Sequence, residues 1–312
     1  MSKPQEPHRP FFSFGNPFRM ISPKGSQLSP RLLSLLNAFE ETLAERLRKL
    51  NPKDKNDILS LTWMKSAMES LCETHTDIKT LITDLELPVT DWDEKWIDVY
   101  FDISVKLLDI CIAFSSELAR LNQGHLLLKC VLHNMESTTS KQFVQARSSL
   151  GSWRRHICSK NIRVQNCRAI LDNLVESLDL PKVKNSAKGK VLMQAMYGVK
   201  TNVNMVIRET FSCGKFTVLK ELEAVDTIAE KLYPMIQDEL GPVEVEAVQN
   251  SVSDLRTGAE RLSEGLDFLA KEVDVFFKIV LSGRDALLCN LRASGAVTNP
   301  MLGTNVGEQI VR

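Results

Sequence analysis

Apolar residues in the last third of the chain keep a strict heptad. Val245, Val248, Val252, Leu255, Ala259, Leu262, Leu266, Leu269, Val273, Phe276 and Val280 recur with alternating spacings of three and four. Unbroken register of this kind predicts one long helix packed along a seam. With Val245 as an a position, the flanking e and g sites are Gln249, Ser251, Arg256, Gly258, Ser263, Gly265, Ala270, Glu272, Phe277 and Ile279. A two-stranded zipper needs complementary charges at those sites. Small and apolar residues there widen the buried face instead. Asp254, Glu260, Glu264, Asp267, Lys271, Asp274 and Lys278 fall on the opposite face. The pattern therefore predicts a helix of about 50 Å lying against other helices of its own chain, those from Leu32 to Leu50 and from Trp92 to Leu121. Homodimerisation through the same seam is the lesser alternative.

The rest of the chain has the same period. Ser29-Pro30 supplies an N-cap and a proline at the first helical position, followed by a stripe of Leu32, Leu36, Phe39, Leu43, Leu47 and Leu50. A second helix is expected from about Asp57 to Leu85 and a third from Trp92 to Leu121. Shorter ones are expected near Gly124 to Met135, Ser140 to Cys158, Asn161 to Leu180 and Ser186 to Phe211. A longer one runs from Lys215 to Leu240, stopped by Gly241-Pro242. No stretch alternates apolar and polar with hairpin turn chemistry, so the fold class is all-α. The organisation expected is a disordered arm (1–28), an elongated multi-helix bundle (29–292) and a flexible tail (293–312).

Composition agrees with a sizeable core: 312 residues, 43% of them apolar. The longest run without a charged residue, Ala293 to Gly307, is rich in Gly, Asn and Thr, so no transmembrane helix is predicted. Cys72, Cys111, Cys130, Cys158, Cys167, Cys213 and Cys289 show no CxxC spacing and read as reduced core thiols in a cytosol-facing compartment.

Zero net charge conceals an asymmetry. Residues 137–208 hold thirteen Lys and Arg against three acids, whereas residues 209–281 hold seven against fifteen. One account has the basic middle packed beside the acidic C-terminal helices. The other makes it a patch for an anionic membrane surface. Lys182, Lys184, Lys188, Lys190 and Lys200 interleave with Val191, Leu192, Met193, Met196 and Tyr197, a pattern suited to a helix lying on anionic lipid. Nucleic acid is disfavoured, because only Phe143, Trp153 and Tyr197 offer stacking and no module pattern occurs.

Six of the twelve prolines fall in the first thirty residues and keep the arm from forming a helix. Phe11, Phe12, Phe14 and Phe18 lie between Arg9 and Arg19, ready to enter a membrane interface or to fold back on the bundle. Asn16-Pro17-Phe18 spells the tripeptide that endocytic adaptor modules bind in a turn; a plain Asn-Pro turn is the structural reading. Five cations and one acid before Leu32 are also compatible with a transit peptide.

Searches for chemistry give no site. Gly214-Lys215 is followed by Phe216 and lacks the hydroxyl of a phosphate loop, and Lys188-Gly189-Lys190 fails similarly. Cys130, His133 and His125 lie on roughly one side of a helix, where core placement outweighs metal binding. Glu73, His75 and Asp77 are expected to alternate sides and not to converge. Asp91, Asp93 and Glu94 read as first-turn acids that complement the helix dipole. No catalytic residue, cofactor site or metal site is assigned.

Several strings resemble the plant BYPASS family: Phe11 to Ser26, Trp63 to Lys79, Trp92 to Asp109, Leu180 to Lys190 and Ser282 to Arg292. The likeness covers nearly the whole chain. It implies a helical plant protein without established enzymatic activity, required for root and shoot development, that restrains production of a root-derived mobile signal arresting shoot growth. A related branch is linked to exocyst subunits, which implies as an alternative an adaptor in endomembrane trafficking; an enzyme of unknown type in metabolism of the signal is the lesser alternative. Partners expected are proteins, exocyst or endocytic components among them, and an anionic membrane surface. The expected location is the cytoplasmic face of the endoplasmic reticulum or plasma membrane, with the chloroplast as alternative. One departure stands out: after the equivalent of Tyr197 to Lys200 the family continues with an apolar segment, where this chain proceeds directly through Thr201 to Arg208.

Overall fold

The computed structural model describes residues 28–51, 60–86, 95–136, 140–159, 161–176, 186–212, 219–236 and 242–297. These form eight helices: α1 (Pro30–Leu50), α2 (Leu61–Asp84), α3 (Lys95–Met135), α4 (Ser140–Cys158), α5 (Ile162–Glu176), α6 (Ala187–Ser212), α7 (Lys220–Met235) and α8 (Pro242–Val297). No strand occurs among the described residues, so the all-α expectation holds. Apart from Leu28, the arm lies outside them, as do Cys213 and residues 298–312.

The heptad does what its chemistry requires. Val248, Leu255, Ala259, Leu262, Leu266, Leu269, Val273, Phe276 and Val280 are buried, Val252 is half-buried, and only Val245 at the start is exposed. The seam runs on through Gly283 to Leu287, so α8 extends to 56 residues, about 84 Å. Its neighbours are α2 and α3, with α7 along its first half. The pairing with α1 expected from sequence is corrected here: α1 packs on α6 and α2. The cause is α6, whose Val191, Leu192, Ala195, Met196 and Val199 are all buried and need a second cover.

The small residues beside the seam explain the width of the buried face. A Cβ placed on Gly265 would lie 2.2 Å from Leu61 Cδ1, so α2 begins where α8 has no side chain. That start is capped twice. Ser60 Oγ accepts from Trp63 N at 3.1 Å, and the Glu221 carboxylate of α7 accepts from Leu61 N at 3.0 Å. An acid at a helix N-terminus meets the free amides and the positive end of the dipole. Trp63 Nε1 in turn donates to Leu50 O at 3.1 Å and ties the end of α1 to the start of α2.

Two sequence boundaries move. The break expected near Gly124 is absent, and α3 runs unbroken for 41 residues. Gly124 is a contact rather than a stop, because Ile157, His156 and Trp153 of α4 come within 3.1 to 3.5 Å of the position its Cβ would take. The helix expected from Lys215 to Leu240 is the shorter α7, with Pro234 in its last turn.

Two substitutions test this packing. Leu262→Asp places a charge in a seam position only 2% exposed and should abolish cooperative thermal unfolding. Gly265→Ala should cost on the order of 1–3 kcal/mol by overpacking. In a Leu61→Ala background the same change should cost little, so chemical denaturation of the four proteins forms a double-mutant cycle.

Candidate interaction surfaces

Of the residues singled out in sequence, Phe11, Phe12, Phe14, Asn16, Pro17, Phe18, Lys182 and Lys184 lie outside the described residues. Lys188 and Lys190 occupy the first turn of α6, where Ser186 is the N-cap, its Oγ accepting from Gly189 N at 2.9 Å. Both lysines are half-buried, and Lys188 Nζ lies 4.0 Å from the Glu86 carboxylate at the end of α2. The indole of Trp96 rests on Gly189 between them.

The apolar residues expected to face lipid are inside the bundle instead. Val191, Leu192, Met193 and Met196 are at most 4% exposed, so the apolar half of the expected lipid-facing helix belongs to the core. The reason is the cover that α1, α2 and α5 give to α6. Lys200 is also buried, and burial followed by the nearby Lys106 lowers its pKa. The lysines that remain half-buried lie in the first turn of α6.

The charge blocks meet only in part. Arg154 of α4 pairs with Glu230 of α7 at 2.6 Å, and the Arg147 guanidinium stacks over the Tyr233 ring. That much of the basic middle is neutralised by the acidic helices. The lysines of α6 sit elsewhere, at the α2 end of the bundle.

Glu73 and Asp77 do converge, contrary to expectation. They are four residues apart on α2, and Arg46 of α1 reaches both, at 2.8 Å and 2.6 Å. This is an interhelical clamp that i, i+4 spacing made legible. His75 points the other way, its ring edge-on to Phe276 with centroids 4.7 Å apart. Nδ1 donates to Leu71 O at 3.0 Å, and burial pushes the pKa down to about 4. The imidazole is neutral at pH 7.

The thiols divide. Cys72, Cys111 and Cys167 are buried, and burial pushes each up to about 12, unsuited to nucleophilic work. Cys130, Cys158 and Cys289 are exposed, which corrects the reading of all seven as core thiols. Cys130 and His133 face solvent while His125 is buried, so the three do not share a face. An open groove of about 860 Å³ separates α3, the start of α5 and α8, lined by Ile112, Ser116, Arg120, Asn161, Ile162 and Phe277 among others. Of its two arginines, Arg120 is engaged: it is bound bidentately by Glu117 and donates to His156 O at 2.6 Å. Sequence reasoning missed this groove because it forms between segments distant in the chain.

The fold and its surfaces define an all-α bundle with interhelical ion pairs and an open groove. Among the described residues no helix is long and apolar enough to cross a membrane, and no three His, Cys, Asp or Glu converge on a metal position. The family model for Protein ROH1-like matches residues 24–155. The chain is 53% identical to Protein BPS1, chloroplastic, of Arabidopsis thaliana, over 96% of this chain and 95% of that one. It is 32% identical to UPF0496 protein 4 of Oryza sativa subsp. japonica, over 96% and 98% respectively. No solved structure matches. The chain belongs to the BYPASS family of plant proteins. The BPS1 alignment takes 339 positions to cover 96% of 312 residues, so it includes positions at which this chain has no residue.

His75 gives a pH test of the core. Its folded pKa lies below the usual value of 6.5, so the unfolded chain binds the extra proton between about pH 6.5 and 4. Stability should fall as pH drops through that window, by about 3 kcal/mol at its lower end. Urea unfolding of wild type and His75→Leu at pH 7 and pH 4.5 checks it; the variant should lose less on acidification.

Proposed function

We propose that this protein is a non-enzymatic regulator of plant root and shoot development that works through surface contacts. The observation that carries the reading is its 53% identity to BPS1 along almost the full length of both chains. The site chemistry supports it: the buried thiols are held protonated, His75 is sealed in the core, and Arg120 and Arg46 are bound by carboxylates. Arabidopsis plants lacking BPS1 and expressing this chain test the reading. Restored root growth and continued shoot growth are expected, and unrelieved arrest would overturn it.

The contact we favour is peripheral attachment to an anionic membrane. Lys182, Lys184, Lys188 and Lys190 supply charge, and Phe11, Phe12 and Phe14 supply the second signal that stable attachment needs. Each lysine near an anionic leaflet contributes on the order of 1 kcal/mol, so four matter together where one does not. Because the apolar residues of α6 serve the core, attachment depends on the arm more than the sequence pattern alone implies. Flotation with phosphatidylserine vesicles should show binding that weakens with salt and falls when the four lysines become glutamine. A chain that stays unbound at low salt would leave protein contacts as the mode of action.

The name of BPS1 favours a second location. That relative is called chloroplastic, and the arm of this chain is basic. Residues 1–28 fused to a fluorescent protein separate import into chloroplasts from retention at cytoplasmic membranes.

A further inference from the structure

The chain contains two Ser-Pro dipeptides, Ser22-Pro23 and Ser29-Pro30, and the second opens α1. Ser29 and Pro30 are both exposed. Ser29 has φ −60° and ψ 152°, the extended backbone that a following proline imposes. Its Oγ accepts from Leu32 N at 3.4 Å, and among the described residues nothing takes the hydroxyl proton. A free hydroxyl on an exposed, extended Ser-Pro step is the form in which a proline-directed protein kinase takes its substrate.

The register of three helices shows what a phosphate there would meet. Arg31 Nη2 donates to Asp84 O at 3.3 Å while Arg46 lies at Glu73 and Asp77, so α1 runs antiparallel to α2 and begins at its end. Lys188 lies 4.0 Å from Glu86 while Asn202 Nδ2 donates to Ser70 and Thr74, so α6 also runs antiparallel to α2 and begins at the same end. Helices α1 and α6 are therefore parallel, and Gln194 Nε2 donating to Glu40 Oε1 at 2.8 Å sets their register. Counted back from that bond, Ser29 lies about one turn beyond Ser186, the cap of α6. It thus stands between the two signals proposed for attachment, the lysines in the first turn of α6 and the phenylalanine arm that leads into α1.

Charge at this end is finely divided. Arg31, Lys188 and Lys190 are answered by Asp84 and Glu86 of α2. A phosphoserine carries about −1.5 to −2 at pH 7 and turns an excess of cations among these groups into an excess of anions. The first turn of α1 contains no acid, so the helix start takes the added charge without repulsion from its own residues.

We propose that Ser29 is the acceptor of a proline-directed protein kinase, and that its phosphate releases the bundle from an anionic membrane. The inference rests on the attachment proposed above. The kinase transfers the γ-phosphoryl of ATP: the Oγ–P bond forms, the bond from phosphorus to the β,γ-bridging oxygen breaks, ADP leaves and the hydroxyl proton passes to the kinase base. Release follows because the phosphate repels the leaflet and cancels the attraction of one to two lysines.

The test uses the full chain carrying Ser22→Ala, which leaves Ser29 as the remaining Ser-Pro serine. A purified proline-directed kinase with ATP should add one phosphate at Ser29, located by peptide mass spectrometry; no phosphate there overturns the proposal. In flotation with phosphatidylserine vesicles at low salt, the phosphorylated chain should bind about tenfold or more weakly than the untreated one. Equal binding overturns the switch and leaves the attachment standing, whereas an untreated chain that stays unbound overturns the attachment and the switch with it. Ser29→Asn keeps a capping side chain and accepts no phosphate, so after the same treatment it should float like the untreated chain. Weaker binding of that treated variant assigns the effect to another residue and rejects Ser29. Circular dichroism of the phosphorylated chain should match that of the untreated one; lost helix would make release a consequence of unfolding and reject the switch.

Discussion

The α8 seam is the constraint to which the other helices answer. A helix buried along nearly forty residues cannot be covered by one neighbour, because α2 spans 24 residues and α7 only 16. The cover is therefore assembled in halves. Leu61 sits at Gly265, Cys72 Sγ contacts Glu272 O and His75 meets Phe276, so α2 runs parallel to the later half of α8. Val225 of α7 comes within 3.1 Å of the Cβ position of Gly258 on the earlier half. Only α3 accompanies both halves, antiparallel, from Tyr100 beside Gly283 to Glu136 paired with Arg256 at 3.0 Å. That requirement accounts for its 41 residues. Burying each Leu of the seam stabilises by roughly 1.5–3 kcal/mol, which far exceeds the cost of about 1 kcal/mol for a glycine such as Gly124 within α3.

Polar groups set the register that apolar burial leaves loose. Asn202 of α6 is fully buried, and its Nδ2 donates to Thr74 Oγ1 at 3.1 Å and to Ser70 Oγ at 3.4 Å on α2. Sliding either helix by a turn would strand the amide and the Ser70 hydroxyl away from water, at a cost of about 1–3 kcal/mol for each group, while Thr74 keeps its bond to Ser70 O. Arg46 between Glu73 and Asp77 does for α1 and α2 what Asn202 does for α6 and α2. Both devices converge on α2, so α2 links the α8 layer to the α1–α6 layer.

Periodicity carried the fold, because burial of one face is a local property of sequence. The seam from Val248 to Val280, the Ser29-Pro30 start of α1 and the stripe from Leu36 to Leu50 could all be read from spacing. Pairing could not, because an apolar stripe records that a helix is covered and not by which neighbour; hence α1 lies on α6 instead of α8. The same limit governed the lysine-rich start of α6. Its apolar residues have the spacing of a lipid-facing helix and of a core helix alike, and only the presence of α1, α2 and α5 around them decides. Gly124 was misread for a related reason: a missing side chain looks the same whether a helix stops there or another helix leans on it.

Where apolar residues lie outside the core, their neighbours indicate what they serve. On α3 an exposed aliphatic stripe of Val105, Ile112 and Leu126 alternates with Asp98, Asp102 and Asp109, acids that would be repelled by an anionic bilayer. At the start of α6 the half-buried residues are lysines and the larger apolar ones are inside. The two surfaces thus differ in charge: acids border the α3 stripe, and lysines occupy the first turn of α6. They also belong to different levels of the structure. The α3 face follows from the length imposed on that helix by α8, since a helix long enough to accompany both halves of the seam has more perimeter than its neighbours cover. The α6 turn is free of that demand, because it lies at the end of the bundle where Ser186 caps the helix and Glu86 balances Lys188. Substitutions in the lysines can therefore change the charge of that surface without disturbing the core, whereas changes to the inward residues of α3 alter stability and surface together.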